Sequence, residues 1–247
     1  MMLNYSQYQL SAGERWMALV IPASLLFCIG WIFYNHLVIS LVLALNALFY
    51  PQIRRKELIK KRKEQLQIQF KNALYSLSSS LGAGRSVENS FREAVNDLKM
   101  IYPDPQTYIT KEFQVINLKV ENGESIEIAL DDFSKRTQLE DIRNFADVFI
   151  TCKRTGGSIV EVIRRTSHII GEKLEIKQEI YVMVAQKRFE SKILGVIPFF
   201  IVALLSFGSA DYMEPLYHSV GIFVMTISLI LLALCHWMTK RIMDLKV

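Results

Sequence analysis

Three stretches of the chain carry residue types that could cradle a phosphate: AGRSVENSF from Ala83, NGESIEIAL from Asn122 and TGGSIVEVI from Thr155. Each places a Ser two residues after a Gly, at Gly84 and Ser86, Gly123 and Ser125, and Gly156 and Ser158. Val or Ile follows the Ser, and a carboxylate comes soon after: Glu88, Glu127 or Glu161. Glycine-rich backbone at a helix start binds phosphate because free N–H groups converge there, at the positive end of the helix dipole. These stretches lack the G-x-x-x-x-G-K-[ST] spacing, and no predicted strand leads into them. Their first-turn carboxylates would also repel an anion. The same residues suit a different role, in which Gly ends one helix in a left-handed conformation, Ser caps the next, and the acid complements its dipole. We therefore read Gly84, Ser86, Gly123, Ser125, Gly156, Gly157 and Ser158 as structural turn residues.

Other chemistry is thin. His36, His168, His218 and His236 are scattered, with no i,i+4 pair to grip a metal. The sequence predicts no catalytic residue, no cofactor, no metal site and no enzymatic activity. The charged residues Glu161, Arg164 and Arg165, just past the Gly-Gly turn, are the candidates for partner contact.

The elements that must position these residues are helices. Among 247 residues, 51% are apolar and the mean hydropathy is +0.22, unusual beside a charged fraction of 21%. The excess sits in four uncharged runs, residues 16–34, 37–50, 193–208 and 220–238. A bilayer-spanning helix needs about 20 such residues, so the runs predict two membrane hairpins. Pro198 lies inside the third run, where it predicts a tolerated kink, and Asn46 lies inside the second, where it predicts helix packing. Positive residues mark the cytoplasmic ends of spans. Arg54 to Lys63 holds seven basic residues and one acid; Lys187, Arg188 and Lys192 precede the third run, and Lys240, Arg241 and Lys246 follow the fourth. Both termini and the middle of the chain are thus expected on the cytoplasmic side. Cys28, Cys152 and Cys235 imply no disulfide framework there.

Residues 52–190 carry 24 basic and 20 acidic side chains, a net of +4, of which the Arg54 to Lys63 cluster supplies +6. The rest is therefore slightly acidic, which argues against a nucleic-acid surface and for a juxtamembrane patch that meets anionic headgroups.

The middle shows 3.6-residue periodicity. Stripes run through Phe70, Leu74, Leu77 and Leu81; through Val87, Phe91, Ala94, Val95 and Leu98; through Ile126, Ala129, Leu130 and Phe133; through Ile142, Phe145, Ala146 and Phe149; and through Ile159, Val162, Ile163, Thr166, Ile169 and Ile170. Asp104 and Pro105 predict an N-cap and first turn for a helix toward Val120, Thr137 to Glu140 a capping box, and Gly171 a bend. The expected fold is all-α: a cytoplasmic N-terminus at 1–15, a membrane hairpin at 16–53, a six-helix cytoplasmic bundle at 54–190, a second hairpin at 191–238 and a tail at 239–247.

The stretch QFKNALYSLSSSLGAGRSVENSFREAV, residues 69–95, resembles the opening of the F domain of type II secretion and type IV pilus platform proteins. TGGSIVEVIRRTSHIIGEKLEIKQEIYVMVAQKRFESKILGVIPFF, residues 155–200, resembles its closing half, with a basic small-residue segment at Ala185 to Arg188 and the proline at Pro198. The resemblance covers most of residues 66–240. Double-domain members carry two such domains, whereas this chain has one, like the platform proteins of tight-adherence pili. The resemblance implies an inner-membrane, multi-pass platform without catalysis. Its implied partners are a cytoplasmic assembly ATPase, a second F-domain protein or further copies of itself, pilin subunits and membrane lipids, but not nucleic acid. An ion-driven stator subunit shares the two-plus-two layout and is the alternative, but it leaves the three Gly-x-Ser turns unexplained.

Overall fold

The computed structural model describes residues 5, 8, 10–208, 213–217 and 219–243. His218 and Lys246, which entered the reading of metal chemistry and charge, lie outside them. All regular elements among the described residues are helical: α1 (Ala12–Tyr34), α2 (Leu37–Leu45), a 3₁₀ turn (Asn46–Phe49), α3 (Tyr50–Gly82), α4 (Val87–Ile101), α5 (Tyr108–Glu121), α6 (Ile126–Thr137), α7 (Glu140–Thr155), α8 (Ile159–Gly208), a second 3₁₀ turn (Glu214–Tyr217) and α9 (Ser219–Met243). They fall into two compact units, one of Met1–Gln9 with Lys56–Ile176, the other of Leu10–Arg55 with Lys177–Val247.

The first unit is built on the periodic stripes. Leu66, Phe70, Leu74 and Leu77 on α3 are fully buried against Phe91, Leu98, Ile116, Phe133, Phe145 and Phe149. Phe70 sits edge-on to Phe145 with ring centres 5.5 Å apart, and Phe91 stacks on Phe113 at 5.1 Å. Such pairs add directional attraction to area burial, so the aromatic centre fixes how the helices meet. On α8 the stripe is only half used: Ile163 and Ile170 are buried, whereas Ile169 is 51% exposed. That helix lies on the bundle along one face, so its broader apolar surface is left open.

Two local expectations are corrected. Asp104 does not cap α5; its side chain accepts from the Gln106 N–H in a local turn, and α5 starts after Thr107. Pro103 follows the Tyr102 C-cap of α4, and Pro105 lies in the turn before α5 without opening it, because the turn already uses the Asp104 oxygen. Thr137 makes no capping box with Glu140; it is the last residue of α6, its hydroxyl donating to the Ser134 carbonyl, and Gln138 takes the left-handed conformation that breaks the chain. Gly171 lies inside α8, which runs without interruption from Ile159 to Gly208.

In the second unit α1 and α2 form a close hairpin. A Cβ at Gly30 would stand 2.7 Å from the Ser40 Cα, so only glycine lets the two backbones approach this way. Asn35 turns the chain at φ 44°, its N–H bonded to the Trp31 carbonyl. Asn46 does not join neighbouring helices; its amide donates to the Val42 and Leu43 carbonyls of its own turn. Phe33, Tyr34, Met213 and Met225 form a buried cluster, tied by Tyr34 to Thr226 at 3.1 Å and by Tyr217 to the Ile32 carbonyl at 3.0 Å. Among the described residues, four helical segments are long and apolar enough to cross a membrane, with at most 17% of any apolar window buried. Exposed apolar surface on that scale is tolerated where lipid, not water, is the solvent.

Candidate functional site

The three Gly-x-Ser stretches take one geometry. Gly84, Gly123 and Gly156 have φ of 82°, 89° and 76°, the left-handed region. In each case the residue after the Gly donates its N–H to a carbonyl five positions back: Arg85 to Ser80, Glu124 to Lys119, Gly157 to Cys152. This is the helix-ending bond pattern in which orphan carbonyls are satisfied. The Ser then caps the next helix, Ser86 accepting from Asn89, Ser125 from Ile128 and Ser158 from Glu161, at 3.3, 3.4 and 3.3 Å. Gly157 does something else: a Cβ there would lie 2.8 Å from the Cys152 sulfur. These turns spend their N–H groups and hydroxyls on the fold.

The partner-contact candidates do not form one site. Glu161 and Arg165 line a groove of about 480 Å³ between α7 and α8, floored by Phe145, Val162 and Ile170. Arg164 points to the other side of α8, into a groove of about 640 Å³ shared with α3. A helix turns 100° per residue, so neighbours in sequence face different surfaces. Pro198 sits within α8 and leaves the Leu194 carbonyl without its helical donor.

The most elaborate polar constellation in the first unit has no counterpart among the sequence motifs. Glu112 on α5 is only 3% exposed and receives two hydrogen bonds from Arg136 on α6, at 2.8 and 2.6 Å. The fully buried Tyr5 donates its hydroxyl to the same carboxylate at 2.9 Å, and its N–H reaches the Arg136 carbonyl. Arg136 also bonds Asp132, which Lys119 approaches at 3.1 Å. Nearby, the Arg62 guanidinium lies over the Tyr8 and Tyr108 rings at 4.7 and 5.5 Å. Burial, reinforced by the Glu112 charge, pushes the Tyr5 phenol far above its ordinary range, so it remains a donor at physiological pH. Burial opposes charge on Asp132, yet the hydrogen bonds from Lys119 and Arg136 hold its carboxyl below the usual value. Burial likewise opposes charge on Arg136, and Glu112 and Asp132 together overcome it and raise its pKa. The signal available in sequence was a charged residue inside each apolar stripe: Glu112 between Ile109 and Phe113 on α5, and Arg136 three residues after Phe133 on α6.

This is structural electrostatics. Glu112 accepts three hydrogen bonds from Tyr5 and Arg136 that tie its carboxylate into the fold, and among the described residues no three His, Cys, Asp or Glu side chains converge on a metal position. What the geometry defines is an all-helical membrane protein with a folded helical unit carrying two surface grooves. The model of the type II secretion system protein F family matches residues 73–207, more than half of the chain, and the protein belongs to that family of membrane platform proteins. No curated protein and no solved structure matched the chain.

Proposed function

We propose that the protein is a single-domain assembly platform of a tight-adherence pilus or related secretion system, coupling a cytoplasmic ATPase to the assembly of pilin subunits in the inner membrane. The observation that carries this reading is the single family match at residues 73–207, with apolar helices long enough to span on both sides of the helical unit. The proposed layout is hairpins at 16–53 and 191–238, a cytoplasmic body at 54–190, and short cytoplasmic ends at 1–15 and 239–247.

The orientation is supported by the basic residues from Arg54 to Lys63 and at Lys187, Arg188 and Lys192. It is supported again by Tyr5 and Tyr8, which precede α1 and contact the same unit that holds Lys56–Ile176. Two crossings between those segments return the chain to the side it left. Arg241 over Trp237 at 5.2 Å suits the headgroup level at the end of α9. In this reading α8, one helix from Ile159 to Gly208, is the segment that joins the cytoplasmic body to the second hairpin.

The partners in this reading are the assembly ATPase, a second F-domain protein or further copies of the chain, pilin subunits and anionic lipid. The family membership leaves the stator alternative without support. Deleting the gene should abolish surface pili or pilin export while pilin synthesis continues, and the tagged protein should bring down an assembly ATPase from solubilised membranes. Intact pili in the deletion strain would end the proposal.

A further inference from the structure

On the outward sides of α7 and α8, which flank the groove of about 480 Å³, the charges follow matching patterns of opposite sign. A helix turns 100° per residue, so positions four and eleven residues on return to one face. On α7 that face holds Arg143, Asp147 and Arg154, and on α8 it holds Glu161, Arg165 and Glu172, all exposed. The first five take no ion pair among the described residues, and Glu172 stands 3.4 Å from His168. The signs read plus, minus, plus on α7 and minus, plus, minus on α8, an order that survives reversal of either helix. Lys173 bonds Asp141 at 2.9 Å, which sets the relative height of the two antiparallel helices. At that register Arg143 is level with Gly171, Asp147 with Ser167 and Arg154 with Val160, each within two positions, about 3 Å, of Glu172, Arg165 and Glu161.

We propose that this face of α7 and α8 is the interface between two copies of the chain. In one copy the two charged faces point outward side by side, and a second copy brings them opposite each other. The inference rests on the layout proposed above, in which α8 leads every copy into the same membrane. A twofold axis between two such copies runs along the membrane normal and keeps heights equal. Each α7 then lies antiparallel to α8 of the second copy, so Arg143 meets Glu172, Asp147 meets Arg165 and Arg154 meets Glu161. Twofold symmetry makes every pair twice. Val148 and Ile169, 49% and 51% exposed, face the middle of the four helices and supply an apolar centre that neither copy covers alone. Glu140 falls near Glu175 in this register, one contact of like sign against three of opposite sign. Pairing α8 with α8 is excluded by the same symmetry, because parallel copies would set Glu161 and Arg165 each against itself.

The test labels full-length chains with a donor or an acceptor fluorophore, reconstitutes them in lipid vesicles, and reads self-association by energy transfer as the lipid is diluted. Arg154→Glu alone and Glu161→Arg alone each reverse two contacts per dimer and should weaken association by about tenfold. Combined in one chain they restore opposite charges across the interface, and association should return to within about threefold of the unaltered chain. Glu140→Lys should strengthen it, and Lys99→Glu, exposed on α4, should change it by less than about twofold. Cross-linking keeps the test open if a reversal disturbs folding. With Cys28, Cys152 and Cys235 replaced by alanine, chains carrying Asp147→Cys mixed with chains carrying Arg165→Cys should be joined by a short bis-maleimide, and either variant alone should not. Energy transfer no greater than for a monomer, single reversals without effect, a double reversal as weak as the single ones, or equal cross-linking in the unmixed samples would each overturn the interface. A pilus assay bears on the platform reading alone, so the two can fail separately.

Discussion

Arg136 donates two hydrogen bonds to Glu112 inside the bundle, and a third reaches Glu112 from a residue more than a hundred positions away, Tyr5. Removing the Tyr5 hydroxyl leaves a buried carboxylate lone pair dry, which costs about 1–3 kcal/mol. Tyr5→Phe should therefore lower the unfolding temperature of the solubilised protein, measured by circular dichroism, whereas Tyr75→Phe, at an exposed ring, should not. Arg136→Ala should cost more, about 3–5 kcal/mol, since it strands a buried charge. The pH response follows from Asp132 and Glu127. Burial opposes ionisation of both; Lys119 and Arg136 hold Asp132 below its ordinary value, while its own backbone N–H and Lys153 do so for Glu127. A depressed folded-state pKa contributes stability above the unfolded value and loses it as pH falls through the folded one. Stability should thus be level from neutral pH to about 5 and decline below about 4, with Asp132→Asn flattening that decline. Sequence offered only the charges inside the α5 and α6 stripes; the network itself was not legible, because it joins Tyr5 to α5 and α6 by contacts that no local period encodes. The turn glycines were legible, because the need for positive φ is local.

At the scale of elements, the Gly-Gly turn separates two physical causes that look alike in sequence. Gly156 has open space around its Cβ position but φ 76°, so a side chain there costs only backbone strain, roughly 1–2 kcal/mol. Gly157 has ordinary φ but stands against the Cys152 sulfur, so its cost is steric. Gly157→Ala should consequently be rescued by Cys152→Ala, and Gly156→Ala should not; a double-mutant cycle on thermal stability would show coupling for the first pair alone. Equal coupling for both pairs would refute the distinction. The five helical stripes could be read from spacing because burial of one face repeats every 3.6 residues. Helix starts at Tyr108 and Glu140 were misplaced for the opposite reason: a capping motif names residues that can cap, and at Asp104 and Thr137 the same oxygens are spent on a turn and on the preceding helix. The open side of α8 was not legible, since a periodic stripe does not say how much of it a neighbour covers. Ile169 and the groove-lining Val162 are the result.

For the whole molecule, the decisive quantity is the number of membrane crossings between contacts that must share one compartment. Tyr5 and Tyr8 precede α1, and both touch the unit that resumes at Lys56. In the proposed layout the chain crosses twice between them, turning at Asn35 and His36, and twice more between Ile176 and the basic end of α9. An odd number of crossings would strand either the Tyr5 contact or the positive cluster on the wrong side, at the cost of moving several Lys and Arg side chains through hydrocarbon. Fusions of alkaline phosphatase, active only outside the cytoplasm, and of green fluorescent protein, fluorescent when folded inside it, distinguish the arrangements. Phosphatase inserted between Asn35 and His36, or after Gly208, should be active, and fluorescent protein inserted after Gly123 or fused after Val247 should glow. Phosphatase activity at Gly123 would place the helical unit outside, where no cytoplasmic ATPase could reach it, and would remove the platform proposal together with its topology.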